Sequence, residues 1–228
     1  HRRGGLVLVV VAALLVALIA GTVVFVVRAR TPIFPIAEAE GTEDIVRLWR
    51  SGDYEAVVRV GTQRLDEHPV DETALSLRGF ARFYLAMQEV NEERKQSLLI
   101  GSIEDLRRVL LLDEPRLEAQ IRYILGKAFF HRGRFFYDSA IEQLRTASTL
   151  GIEQLDLLEY LAIASEEIGR TEDAIDFFRS AIEFGDEAIH KVSLADILIE
   201  EERYVEADRL LDEAAAQTSD VGILQHAL

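Results

Sequence analysis

The stretch Ile168–Asp186 reads IGRTEDAIDFFRSAIEFGD. A turn residue, Gly169, is followed by Thr171, an acid, and then a small residue, Ala174, that opens an apolar helix. The same order returns twice. SGDYEAVVRVGTQRLDEHP spans Ser51–Pro69 and EERYVEADRLLDEA spans Glu201–Ala214. Recurrence of one local plan along a chain marks a stacked array of repeated units. The segments LRGFARFYLA (Leu77–Ala86) and ILGKAFFHRG (Ile124–Gly133) supply the complementary halves. Each carries a small residue, Gly79 or Gly126, that admits a neighbouring helix.

These halves together resemble the tetratricopeptide repeat. In that family a Gly closes the first helix and an Ala about five residues later packs at the helix crossing. Leu158, Leu161, Ala162, Gly169, Ala174, Phe178 and Ala181 occupy the family's signature positions without a shift. Gly126 and Gly133 keep its spacing of seven. The resemblance implies an all-α chain, with an α-solenoid of about five helix pairs over residues 38–221. The expected units are Glu38–Asp71, Glu72–Pro115, Ala119–Ile152, Leu155–Glu187 and Ala188–Val221. Three irregularities stand out. The second unit has about a dozen extra residues, expected between its helices around Gln88–Gln96. The third has two extra between Gly133 and Ala140. The fifth puts Glu202 where the turn glycine belongs. One helix pair cannot bury its apolar face alone, whereas stacked pairs bury a continuous core.

Upstream of the array, Leu6–Val27 is an unbroken run of 22 apolar and small residues. At about 1.5 Å per residue it spans roughly 33 Å, enough for a hydrocarbon core of about 30 Å. It is longer than the apolar region of a cleaved secretory signal. Residues 1–30 are therefore expected to form a tail and a single transmembrane anchor. Thr31–Ala37, with Pro32 and Pro35, forms a stiff linker in which no continuous helix forms. Ala13, Ala17 and Gly21 recur every four residues, a small-residue face through which two anchors can approach. Residues 222–228 are expected to be a tail. The first residue is His1 rather than Met, so further residues are expected upstream.

Charge is distributed unevenly. The chain has 25 Lys+Arg against 40 Asp+Glu, a net of -15. Arg2, Arg3, Arg28 and Arg30 flank the anchor, and no acid precedes Glu38. The rest of the chain thus sets 21 basic residues against 40 acids. Such a body repels phosphate backbones and anionic lipid surfaces, which excludes nucleic acid as a partner. The two arginines on each side of the anchor balance, so the positive-inside rule does not orient it by count. Bitopic anchors with short N-termini usually keep them inside, and the acidic body begins soon after the span. The expected topology has a cytoplasmic N-terminus and an extracytoplasmic, periplasmic body.

No catalytic residue, metal site or cofactor is expected. There is no cysteine, which removes disulfides and thiolate chemistry. His1, His68, His131, His190 and His226 form no HExxH pattern, and no phosphate-binding loop or nucleophile elbow occurs. Paired acids such as Glu166–Glu167 read as solvated helix faces.

Aligning the repeats places a partner-binding groove on the first helices. Trp49, Arg50, Phe80, Phe83, Tyr84, Tyr123, Lys127, Phe130 and His131 line its aromatic, partly basic half. Glu159, Ile163, Glu166, Glu167, Asp196 and Glu200 line its acidic half. Phe80 and Phe130 are equally readable as core between repeats. The matching segment would be apolar, then basic. The Lys/Asn clamp with which chaperone-binding members hold a C-terminal carboxylate is absent, since Thr42, Val46, Ser76 and Phe80 stand at its positions. The function expected from the resemblance is a non-catalytic, membrane-tethered scaffold for protein–protein interaction. Its layout is similar to envelope proteins of this family that serve secretion or flagellar motors. A chaperone-like holder of unfolded or translocating chains is the alternative. Homo- or hetero-oligomers are compatible with either.

Overall fold

The computed structural model describes residues 41–217, and within them the chain is helical with no strand. Ten α-helices follow one another: α1 Glu43–Ser51, α2 Tyr54–Glu67, α3 Glu72–Gln88, α4 Glu92–Val109, α5 Glu118–His131, α6 Tyr137–Thr149, α7 Leu155–Glu167, α8 Thr171–Gly185, α9 Ala188–Glu200 and α10 Tyr204–Gln217. They form five pairs, and each second helix also packs on the first helix of the next pair. This is the layering of an α-solenoid. No helix among the described residues is long and apolar enough to cross a membrane. The expected anchor Leu6–Val27 lies outside them. So do the Ala13, Ala17, Gly21 face, the linker 31–37 and the tail 222–228.

Local chemistry fixes where the helices start. Asp53 accepts from the Ala56 amide at 3.1 Å, Asp71 from Ala74 at 2.8 Å and Asn91 from Arg94 at 2.9 Å. Each satisfies an amide that the first turn leaves without an intrahelical partner. The last cap corrects the reading of the second unit. Its extra residues do not form a loop between the helices. Only Glu89–Asn91 separates α3 from α4, and the surplus is absorbed by helices of 17 and 18 residues. In the third unit the two extra residues become a short 3₁₀ turn, Arg134–Phe136, before α6.

Three of the turns inside pairs share one geometry. Gly52, Gly169 and Glu202 have φ of 75°, 77° and 59°. In each case the next residue's amide reaches back to a carbonyl five residues earlier: Asp53 to Leu48 at 3.1 Å, Arg170 to Ser165 at 2.8 Å and Arg203 to Leu198 at 2.7 Å. This six-to-one bond closes a helix on a left-handed residue. Glycine adopts that conformation freely, whereas glutamate pays a steric penalty of about 1–2 kcal/mol.

Pairing distance is set by residues that lack bulk. A Cβ on Gly126 would meet Leu144 Cγ at 2.6 Å and the Ala140 carbonyl oxygen at 3.1 Å. On Gly79 it would meet Leu106 Cδ2 at 2.7 Å. Ala174, Ala181, Ala207 and Ala214 are fully buried at the corresponding contacts of the last two pairs.

The Glu202 turn yields a direct test. Glu202→Gly is expected to stabilise the protein by about 0.5–1 kcal/mol, read as a raised urea midpoint with an unchanged slope.

Candidate partner-binding groove

The first helices α1, α3, α5 and α7, joined by Tyr54 of α2 and Tyr137 of α6, carry a run of aromatic rings. Trp49 touches Tyr54, Phe80 and Tyr84 at centroid distances of 5.4, 5.9 and 5.8 Å. Tyr54 and Tyr84 stack at 5.2 Å, and Phe83 meets Tyr84 edge-on at 5.6 Å. Phe130 continues the run to Tyr137 at 5.0 Å and Tyr160 at 4.8 Å. Tilted and offset arrangements of this kind suit the charge distribution of aromatic rings.

Burial divides the expected lining. Trp49, Phe83 and Tyr123 are 1%, 1% and 2% exposed, and Phe80 is fully buried. They are core residues rather than groove surface, which corrects the expectation for Trp49, Phe83 and Tyr123. The reason is geometric: the inner face of a first helix must fill the space against its own partner helix before it can offer anything to a ligand. Tyr84, Lys127, Phe130 and His131 are half-buried and form the accessible aromatic part. Arg50 is exposed, as are Ile163, Glu166 and Glu167, while Glu159 is half-buried. The positions of the missing chaperone clamp, Thr42, Val46, Ser76 and Phe80, are all buried.

At the centre sits a charged knot. The Lys127 ammonium lies over the rings of Tyr123, Tyr160 and Phe83, at 4.8, 5.1 and 5.6 Å from their centroids. It donates to Asp156 Oδ2 at 2.7 Å. The Tyr123 hydroxyl donates to the same carboxylate, 2.6 and 2.8 Å from its two oxygens. A cation held against ring faces and a carboxylate is stabilised by both. Burial first, and the Asp156 carboxylate second, push the Tyr123 phenol upward, so it stays a donor. Tyr123 therefore acts from below, fixing Asp156. Asp156 and Tyr160 were not among the expected groove residues. Their spacing with Ile163 and Glu167 on one face of α7 is the signal that would have found them.

His131 lies beside this knot. Its Nε2 is 3.1 Å from the Tyr160 hydroxyl. Burial, then the nearby Lys95 and Lys127, lower its pKa to about 4. Further along, Glu159 accepts from the buried His190 Nε2 at 2.6 Å. Burial, then Glu200, Glu167 and Asp196, raise the Glu166 carboxyl above its ordinary range. The face thus passes from aromatic and cationic at α3 and α5 to strongly acidic at α7 and α9.

Neither a family model nor a curated protein matches the sequence. Solved structures do match. A crystal structure of MamA superposes with a TM-score of 0.60 at 21% identity, covering 79% of this chain and 95% of that one. A second MamA structure gives 0.61 at 21%, covering 76% and 87%. The crystal structure of YrrB, described as a TPR protein with an unusual peptide-binding site, gives 0.62 at 15%, covering 80% and 87%. The fold is the tetratricopeptide-repeat fold. The aromatic-to-acidic face lies on the first helices of this fold.

Trp49→Ala and Phe83→Ala are each expected to destabilise the tetratricopeptide body by about 3–5 kcal/mol in urea unfolding, as buried aromatics do. A pH series tests His131. The unfolded chain protonates this histidine near its ordinary value of about 6.5, the folded chain only near 4. The stability that the neutral ring contributes is present above about pH 6.5 and is lost as pH falls towards 4. His131→Gln should therefore lose less stability over that window than the parent chain, by thermal melting.

Proposed function

We propose that the protein is a non-catalytic, membrane-tethered scaffold that assembles a protein complex of the cell envelope. The carrying observation is the graded face formed by Tyr84, Phe130 and His131, the Lys127–Asp156 knot, and the acids Glu159, Glu166 and Glu167. Its chemistry suits a segment that is apolar and then basic. Aromatic groups supply contact area at low entropic cost, and the acids supply sign discrimination. YrrB lends support as a protein of similar fold described with a peptide-binding site. Tethering rests on the apolar run Leu6–Val27, and the extracytoplasmic body on the acidic chain that begins at Glu38, soon after the span. A holder of unfolded chains is the second reading. It draws on isolated exposed side chains such as Val90 and Phe135, 96% and 101% exposed, which offer apolar contact without pattern.

Crosslinking and mass spectrometry on native membranes test both readings. A scaffold yields a fixed set of partners in stable stoichiometry. Tyr84→Ala combined with Glu166→Lys and Glu167→Lys should remove that set while leaving the circular dichroism spectrum unchanged. Recovery of the same partners by the triple variant sinks the groove. Capture of many unrelated unfolded chains favours the holder.

A further inference from the structure

The second helix pair carries a polar feature on the opposite side of α3 from the aromatic groove. Arg78 and Arg82 stand one turn apart, about half a revolution from Tyr84 and Met87. Asp105 of α4, only 1% exposed, meets both. Arg78 binds it through two nitrogens, Nε to Oδ2 at 2.8 Å and Nη2 to Oδ1 at 2.6 Å. Arg82 Nη1 donates to Oδ2 at 2.7 Å and to the Gly101 carbonyl at 3.1 Å. Arg78 Nη1 also reaches Thr62 Oγ1 of α2 at 3.1 Å. Two guanidinium groups thus share one buried carboxylate, and the next acid acting on Arg82 is the exposed Glu104. Arg78 is itself 8% exposed. Where two guanidinium groups share one carboxylate, a second anion adds a favourable charge-assisted contact.

Above the floor lies a groove of about 490 Å³. Arg107 and Arg108 stand on its wall, opposed by a single further acid, Glu104. Four arginines against two carboxylates make this a local excess of two positive charges on a chain of net -15. The hydrogen bonds of Arg82 to Asp105 and Gly101 both leave from Nη1, and a guanidinium carries further donors on Nε and Nη2 that suit a planar oxyanion. Ile103 and the 85% exposed Leu111 form an apolar lip. The volume is many times that of a water-sized ion, and the lip asks for a side chain beside the anion.

We propose that this groove is a second binding site, for an acidic peptide segment. A carboxylate of the segment pairs with Arg82 and the wall arginines, and a neighbouring apolar side chain covers Leu111. The body elsewhere repels such a segment, which concentrates its recognition at this spot. The site is independent of the groove on the first helices and would hold a partner of the opposite charge.

The test uses the full chain in detergent micelles and fluorescence anisotropy. The probe is a labelled eight-residue peptide carrying two Glu-Leu pairs, and the control peptide has Lys in place of each Glu. The Glu peptide should bind, more weakly as salt rises, and the Lys peptide should not. Arg82→Gln and the exposed Arg107→Glu should each weaken binding about tenfold, the loss expected for one charge-assisted contact. Circular dichroism should be unchanged, and Tyr84→Ala should leave affinity intact. Equal binding of the two peptides, or unaltered affinity in both arginine variants, would overturn the proposal. Binding of inorganic phosphate without binding of the Glu peptide would also overturn it, assigning the groove to a free anion.

Discussion

Everything in this body depends on how closely paired helices approach. At Gly126 and Gly79 there is no room for even one more carbon, because Leu144 and Leu106 occupy it. Side chains in a close-packed interior cannot yield by an ångström without displacing their neighbours. The short approach lets the large apolar residues of each pair fill a single layer. Successive layers then stack into one core that runs from Ile45 to Ala164. The groove is a by-product of the same restriction. Its accessible aromatic rings, Tyr84 and Phe130, are those that the core did not fully enclose.

That dependence explains what was legible in the sequence. Glycines and alanines at helix crossings have few other reasons to recur in phase, so Gly79, Gly126, Ala174 and Ala181 announced the repeat. The turn glycines were equally readable, and so was the exception at Glu202. Length was harder to place. The surplus residues of the second unit lie in longer helices because Asn91 restarts the helix immediately, and one capping side chain is a weak signal against an expectation of a loop.

The groove was legible only in part, for a physical reason. An aromatic residue on a first helix satisfies the same repeat position whether it faces its partner helix or the open surface. Trp49, Phe83 and Tyr123 took the first option, and Tyr84 and Phe130 the second. Periodicity alone does not separate them, because the two directions differ by little more than a quarter turn, as between the adjacent Phe83 and Tyr84. Asp156 escaped notice since acids are common throughout this chain. Its importance comes from Tyr123 and Lys127, which reach it from a neighbouring helix 33 and 29 residues earlier. Relations at that range are a property of the fold. Charge, by contrast, was readable at the level of the whole body and misleading locally, since the arginines around Asp105 gather where the net charge predicts repulsion.

The buried residues form two clusters that meet at α7. Leu157, Leu161 and Ala164 belong to the larger one, while Ala162 joins Phe178, Leu198 and Leu210 in the smaller. Helix α7 is therefore a seam. Under a pulling force applied from the C-terminal side, α10, α9 and α8 can peel away as one block while the larger cluster stays intact, because stability in a stacked array is held mostly between neighbours. A body built this way is expected to resist tension in steps, with α9 and its acids Asp196 and Glu200 released before the aromatic end.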